Sequence, residues 1–116
     1  MTRELTLRRE DGTVVCERCT LADSPVTRLK GLLGRAGLEQ GQGLLLRPAS
    51  SIHTFFMRFP IDVVFLDRAL VVLRIEDGVD PWRAACRRGA KAVLELPAGE
   101  SARRGLAVGD QLSFAQ

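Results

Sequence analysis

The stretch SIHTFFMRFPIDVVFLD, residues 51–67, decides the fold because its two halves carry different patterns. In the second half, residues 61–66 are apolar apart from Asp62, which is typical of a central strand buried on both faces. In the first half, Pro60 biases the residue before it away from helical angles, and residues 52–59 are predicted to be extended. The centre of the chain therefore predicts β-structure.

Short strands separated by turn residues are predicted on both sides of this stretch. The chain contains 11 Gly and 5 Pro, and so many turn residues favour short strands over long helices. The flanking strands are predicted at residues 4–10, 13–21, 44–47, 70–75, 90–96 and 111–114. Asp11-Gly12, between the first two, is a strong hairpin signal. The pattern predicts a mainly-β domain, an antiparallel sandwich or barrel, with residues 1–116 forming a single domain.

One short α-helix is predicted at about residues 25–33. Ser24 can cap the free amides of a helix, and the ring of Pro25 suits the first helical position. Apolar residues then recur at helical spacing, at Val26, Leu29, Leu32 and Leu33. A helix this short is marginal alone, so we expect it to pack on the sheet.

The composition argues against several classes of protein. No stretch approaches the ~20 consecutive apolar residues of a membrane span, and the first ten residues lack the apolar core of an export signal. Three cysteines cannot form a complete disulfide framework. We therefore expect a cytoplasmic protein that does not contact a membrane.

The positive charge does not indicate nucleic-acid binding. The net charge is +3, but the 17 basic residues are scattered along the chain, and there is no Tyr and one Trp to stack on bases. A solvated, arginine-rich surface is the simpler interpretation. No nucleic-acid partner is predicted.

Several motifs, taken together, resemble a known family. They are RLKGLLGR at 28–35, the central stretch at 51–67, VLELPAG at 93–99 and the Gly109-Asp110 pair. In this order and spacing, from about Val14 to Phe114, the chain resembles the domain of unknown function 192. The resemblance implies a β-sandwich of jelly-roll type, in proteins of bacteria and archaea, and no established reaction, substrate or cofactor. Exported members often carry Trp-Met-Lys-Asn where this chain has Phe56 to Phe59, so it resembles the leaderless branch.

Polar groups within the aromatic stretch are the candidates for a site. If residues 52–59 are extended, His53 shares one face with Met57, while Thr54, Phe56 and Arg58 share the other. The simplest interpretation is a core in which Arg58 and Asp62 pair, because an unpaired buried charge costs several kcal/mol. The alternative is an apolar pocket with convergent polar groups, as in a ligand site. The predicted ligand-binding residues are His53, Thr54, Phe56, Arg58 and Asp62.

These residues support one principal hypothesis and two alternatives. The first is a non-catalytic binding or accessory domain that takes a small anionic ligand, held by the Arg58 guanidinium, or a peptide. The second is a hydrolase- or lyase-like enzyme using His53 and Asp62, for which no nucleophile motif is present. The third is a structural or assembly module in which the stretch is core.

The cysteines and Glu95 are interpreted as structural. Cys16, Cys19, His53 and Cys86 match the donor set of a Cys3His zinc site. However, two cysteines three apart in a strand are predicted to point to opposite faces, so neither a metal nor any other cofactor is predicted. Glu95 lies between Leu94 and Leu96 in a predicted strand, and we expect it to face solvent or to be paired.

Overall fold

The computed structural model describes residues 3–24 and 36–115, and within these ranges it contains nine strands and one short helix. The strands are β1 (Arg3–Arg9), β2 (Val14–Ala22), β3 (Gln42–Leu46), β4 (Ser51–His53), β5 (Ile61–Leu66), β6 (Val72–Val79), β7 (Ala84–Cys86), β8 (Ala92–Pro97) and β9 (Leu112–Phe114). The helix, α1, spans Glu100–Arg103. The mainly-β prediction is confirmed. The helix predicted at about 25–33 lies outside the described residues.

Seven strands form one mixed sheet, in the order β6-β5-β8-β3-β2-β1-β9, and β4 and β7 form a separate antiparallel pair. The two outer strands of the large sheet meet at a bridge between Val71 and Gln111. The Val72 amide donates to the Asp110 carbonyl at 2.8 Å, and the Leu112 amide donates to the Leu70 carbonyl at 2.9 Å. The sheet therefore curls until its edges touch, as in a barrel.

One strand pair differs from the antiparallel prediction. β2 and β3 run parallel, with Thr20 opposite Leu44, whereas the other paired strands in the described ranges are antiparallel. Parallel neighbours need a connection of about a dozen residues or more, and residues 23–41 supply one. The short connections of β1 to β2 and of β5 to β6 allow only antiparallel pairing.

The curled sheet separates two apolar cores. The inner core, inside the curl, includes Val64 of β5 and Leu94 of β8, while the outer core, on the opposite face, includes Val63 and Val93. Because successive side chains of a strand point to opposite faces, these two strands supply both cores. Every residue of β5 and β8 is buried, which confirms the prediction of a central strand at 61–66.

The first hairpin forms where it is predicted. Gly12 adopts φ 89°, a left-handed conformation that glycine takes readily, and its amide donates to the Arg9 carbonyl at 2.9 Å. The Thr13 amide donates to Asp11 Oδ1 at 2.9 Å. The Asp-Gly signal therefore identified the turn that joins the two strands.

The prediction that residues 52–59 are extended is wrong beyond β4. The strand ends at His53, and the chain then turns, with the Met57 amide donating to the Thr54 carbonyl at 3.2 Å. Met57 is buried in the outer core, whereas His53 is exposed, so they do not share a face as an extended chain would require. Phe56 has φ 66°, which is incompatible with a strand.

The prediction that Cys16 and Cys19 point to opposite faces is also wrong. Leu5 pairs with Cys19 and Leu7 with Cys16, so β2 carries one more residue than β1 between these pairs. This β-bulge changes the alternation, and both thiols enter the inner core. Gly43 of the neighbouring strand leaves room for them, since a Cβ there would lie 2.8 Å from Cys16 Sγ.

Candidate functional site

Thr54 joins two loops at the end of the β4–β7 pair. Its side chain is fully buried, and its Oγ1 donates to the Asp80 carbonyl at 2.7 Å and accepts from the Arg83 amide at 2.9 Å. The Thr54 amide donates to the Arg83 carbonyl at 2.8 Å, and its carbonyl accepts from the Trp82 amide at 2.9 Å. The 54–60 loop is therefore fixed to the 80–83 loop. Thr54 acts by positioning its neighbours, since no surface of it is open to a ligand.

The two joined loops carry an exposed group of rings, which we call the aromatic platform; its members are His53, Phe55, Phe56 and Trp82. The His53 and Phe55 ring centroids lie 4.9 Å apart in a stacked arrangement, and Phe55 stacks on Trp82 at 5.9 Å. Phe56 meets Trp82 edge-on at 4.6 Å. The exposed fractions are 39% for Phe55, 70% for Phe56 and 56% for Trp82. Rings that contact one another while remaining open to water are available to a partner.

The backbone of the platform is strained at its two most exposed rings. Phe56 has φ 66° and Trp82 has φ 67°, a region that bulky residues rarely occupy and that costs about 1–3 kcal/mol each. The hydrogen bonds of Thr54 hold both loops in place against this cost. Strain of this kind concentrates at binding and catalytic sites. The interpretation of the whole stretch as core therefore fails for Phe55 and Phe56, although Phe65 and Met57 are buried.

His53 is exposed, and one of its two ring nitrogens is available as a hydrogen-bond donor. The Phe55 amide donates to His53 Nδ1 at 3.3 Å. In a neutral imidazole with Nδ1 as acceptor, the proton is on Nε2 and can be donated. His53 thus adds a polar donor to the edge of the platform.

The structure does not bring Asp62 together with the other predicted site residues. Asp62 is fully buried on the inner face of β5, and its Oδ1 accepts from the Gly78 amide at 2.9 Å and from the Gly99 amide at 3.1 Å. Its Oδ2 accepts from the amide of Ser101 at 3.0 Å and from its hydroxyl at 2.7 Å. Arg58 is exposed on the 54–60 loop and forms no ion pair with any described residue. The expected Arg58–Asp62 pair is therefore wrong.

Glu95 is the buried group that the sequence interpretation missed. It is 4% exposed on the outer face of β8, opposite Leu44 of β3 and Val63 of β5. Within residues 3–24 and 36–115 its carboxylate has no hydrogen-bond partner, and burial alone raises its pKa to about 7. The expectation that it faces solvent or is paired is wrong for this part of the chain. The usable signal is an acidic residue inside an apolar run, the pattern that also marks Asp62.

The cysteines do not assemble with His53. Cys16 and Cys19 are in the inner core, while Cys86 is exposed on β7. A hydrogen bond between the buried thiols lowers the pKa of Cys16 and raises that of Cys19. In the ranges that the structure describes, no three His, Cys, Asp or Glu side chains are grouped as metal ligands would be. Nor does any helix there have the length and apolar character to cross a membrane.

The fold and the site define a class of protein: a small β-rich domain with a curled sheet, two cores and an aromatic surface held by two loops. The chain belongs to the family described as Uncharacterized ACR, the domain of unknown function 192, whose sequence model matches residues 6–114. The resemblance found in its motifs is thereby confirmed. A UPF0127 protein of Thermococcus sibiricus is 30% identical over 113 residues, which cover 93% of this chain and 73% of that protein.

Two crystal structures share the fold. One, from Sinorhizobium meliloti, is described provisionally as a transcription regulator; it is 23% identical, with a TM-score of 0.87 over 97% of this chain and 95% of that one. The other, a protein of unknown function from Novosphingobium aromaticivorans, is 25% identical, with a TM-score of 0.81 over 97% of this chain and 84% of that one. The likeness to the first shows the fold alone.

Proposed function

We propose that this protein is a non-catalytic binding domain and that its partner docks on the aromatic platform. The observation that carries the proposal is that Phe56 and Trp82 are exposed although their backbone is strained. Neither ring gains the burial that would offset the strain within this chain. Binding of a partner would supply that burial, because covering apolar surface is favourable by roughly 25 cal/mol per Å².

The shape and the polar groups favour a peptide over a small molecule. Small ligands bind in clefts that bury most of their surface, whereas Phe56 stands 70% exposed on an open loop. Arg58 and Arg83 are exposed on the same two loops, and His53 offers a donor beside the rings. We therefore propose a peptide segment that combines apolar side chains with a carboxylate. Arginine recognises carboxylates through paired donors, and aromatic rings provide the anchors typical of interfaces.

The enzyme alternative has less support. A His–Asp acid–base pair needs the two groups within hydrogen-bond reach, and the Asp62 carboxylate is enclosed by four donors from Gly78, Gly99 and Ser101. We also propose a cytoplasmic setting, because an odd number of cysteines suits a reducing compartment.

Trp82 allows a direct test, because it is the single tryptophan of the chain and its fluorescence reports on the platform. Peptides that pair Asp or Glu with Leu or Phe are selected on the full-length protein and titrated against it. We expect a saturable fluorescence change, and binding at least about tenfold weaker in Phe56→Ser, because exposed aromatic anchors dominate such interfaces.

Val108→Ser is the matched control, since Val108 is 64% exposed and lies outside the platform. It should bind selected peptides as the wild type does. Peptides that bind Phe56→Ser as tightly as the wild type would contradict the proposal, as would a selection that yields no saturable binder.

A further inference from the structure

A recess lies apart from the aromatic platform, where the turn after β5 meets the segments before β4 and β8. It encloses about 280 Å³, and Arg47, Arg68 and Lys91 contribute to its walls. None of these three cations forms an ion pair with a described residue. The recess therefore gathers an excess of positive charge that no ion pair with the described residues neutralises.

The acid beside these cations offsets one of their three charges but forms no ion pair with any of them. Asp67 also lines the recess, but its Oδ1 accepts from the Ala69 amide at 2.8 Å and from the Val71 amide at 2.9 Å. The carboxylate is thereby held to its own turn. Arg47 is oriented from another side, because its guanidinium carbon lies 5.3 Å from the centroid of the Phe114 ring. A cation stacked on a ring keeps its N–H donors for a further partner.

The lining of the recess is apolar and rigid where it meets the sheet. Leu70 and Ala92, 7% and 2% exposed, line it together with Pro48. Leu70 has φ 65°. The Leu70 amide donates to the Asp67 carbonyl at 3.0 Å, and the Leu70 carbonyl accepts from the Leu112 amide at 2.9 Å. A lining fixed in this way is preformed, which lowers the entropic cost of binding.

We propose that this recess binds a small organic anion, with its carboxylate or phosphate among Arg47, Arg68 and Lys91 and its carbon skeleton against Pro48 and the remaining exposed edge of Leu70. The volume of about 280 Å³ is slightly below the ~300–1,000 Å³ of typical ligand pockets and favours a compact skeleton over a nucleotide. The exposed ring of Pro48 in the wall argues against a bare inorganic ion, which would leave that apolar surface uncovered. No residue of the recess belongs to the platform, so this site is independent of the proposed peptide.

The test uses three probes on the full-length protein: phenyl phosphate, benzoate and inorganic phosphate. Calorimetry measures the affinities at low ionic strength, and the amide resonances of Arg68 and Ala92 locate the binding. We expect saturable binding of phenyl phosphate or benzoate, with whichever binds more tightly identifying the preferred head group. Inorganic phosphate should bind more weakly than phenyl phosphate.

The Arg47→Gln/Lys91→Gln double variant should weaken the binding at least about tenfold, because charge-assisted bonds are lost. Arg8→Gln/Arg88→Gln removes the same charge from exposed positions elsewhere and should bind as the wild type does. Equal losses in the two variants would overturn the proposal, because they would show a response to net charge alone. Absence of saturable binding by either organic anion, or equal affinity for inorganic and phenyl phosphate, would also overturn it.

Discussion

Two buried carboxylates on neighbouring strands have opposite surroundings. Asp62 of β5 faces the inner core and is 0% exposed, and Glu95 of β8 faces the outer core and is 4% exposed. Asp62 accepts four hydrogen bonds, while Glu95 accepts none from the described residues. The comparison shows that burial alone does not define the role of an acid. The donors that surround it decide whether it anchors the fold or destabilises it.

The two carboxylates differ because different segments pack against the inner and outer faces of the sheet. Beside Asp62, the amides of Gly99 and Ser101 come from the start of α1, where the first amides have no partner within the helix. The carboxylate supplies the missing acceptor. Beside Glu95, the directly opposite residues are Leu44 and Val63, whose side chains have no donor. The same apolar sheet therefore holds one acid that is compensated and one that is not.

Removing Asp62 should have the largest effect on stability. Asp62→Ala removes the acceptor of the Gly78, Gly99 and Ser101 amides and one of the two carboxylates beside the Ser101 hydroxyl, at about 1–3 kcal/mol for each group left buried and unsatisfied. We expect the free energy of unfolding, measured in urea, to fall by about 4 kcal/mol or more. Asp62→Asn keeps the shape and one acceptor oxygen and should lose less. A loss below about 1 kcal/mol for Asp62→Ala would show that the anchor is dispensable.

Glu95→Gln should have the next largest effect on stability, and the size of that effect depends on pH. The folded-state pKa of about 7 lies above the ordinary value of 4.5, so the folded state holds the proton more tightly than the unfolded state. The stability that Glu95 contributes is complete below pH 4.5 and is lost as the pH rises through 7. The loss amounts to about 3 kcal/mol by pH 8. We therefore expect Glu95→Gln to gain stability relative to the wild type between pH 5 and pH 8.

The free energy of unfolding is measured as a function of pH for the wild type and for Glu95→Gln. The difference between these two pH profiles isolates the contribution of Glu95 from those of other acids. The hydrogen bond from Arg104 holds the pKa of Glu17 below its usual value, so the contribution of Glu17 is lost as the pH falls, in the opposite direction. The wild type and Glu95→Gln share the pH dependence that Glu17 contributes, so subtracting one profile from the other removes it. Parallel profiles for the wild type and Glu95→Gln would show that Glu95 gains a compensating partner in the folded protein.

Ser101→Ala tests how much one of the four hydrogen bonds to Asp62 contributes to stability. The hydroxyl donates to Asp62 Oδ2 at 2.7 Å and lies 2.9 Å from Asp77 Oδ1. The hydrogen bond from the backbone amide of Ser101 to Asp62 is kept in the variant. We expect a loss of about 1.5–3 kcal/mol in urea denaturation, the usual value of a hydrogen bond to a charged group. Ser113→Ala, at an exposed position, should change the stability by less than about 0.5 kcal/mol. Equal effects in the two variants would contradict the role of the hydroxyl.

Elements set by local pattern were predictable from the sequence, and the predictions failed where distant segments meet. The first hairpin was predictable because Asp11-Gly12 carries its own turn chemistry, and the strand at 61–66 because its apolar run is continuous. The turn at Thr54 was not predictable, because its partners in the 80–83 loop are distant in sequence. The cysteines were misplaced by a bulge of one residue, which reverses the alternation of a strand.

The candidate site was predictable in part for the same reason. His53, Thr54 and Phe56 do lie together at the platform, because they are neighbours in sequence. Trp82 joins them from a loop distant in sequence, through the hydrogen bonds of Thr54 and its ring contacts with Phe55 and Phe56. Asp62 lies close along the chain yet faces the inner core, because it shares the face of β5 that carries Val64. Their roles in binding stay a prediction.

Phe56→Gly should have the smallest effect on stability and extends the comparison to the surface. Phe56 resembles Glu95 in carrying an uncompensated cost, here a φ of 66° in a residue that is 70% exposed. Glycine adopts this angle freely, so relief of strain should offset the lost contact with Trp82. We expect thermal unfolding to show no loss and a gain of up to about 1 kcal/mol. Phe55→Gly is the control, since Phe55 has a negative φ and glycine there should destabilise the loop. If both variants lose the same stability, the strain at Phe56 is not a cost of the folded state, and the platform loses its resemblance to Glu95.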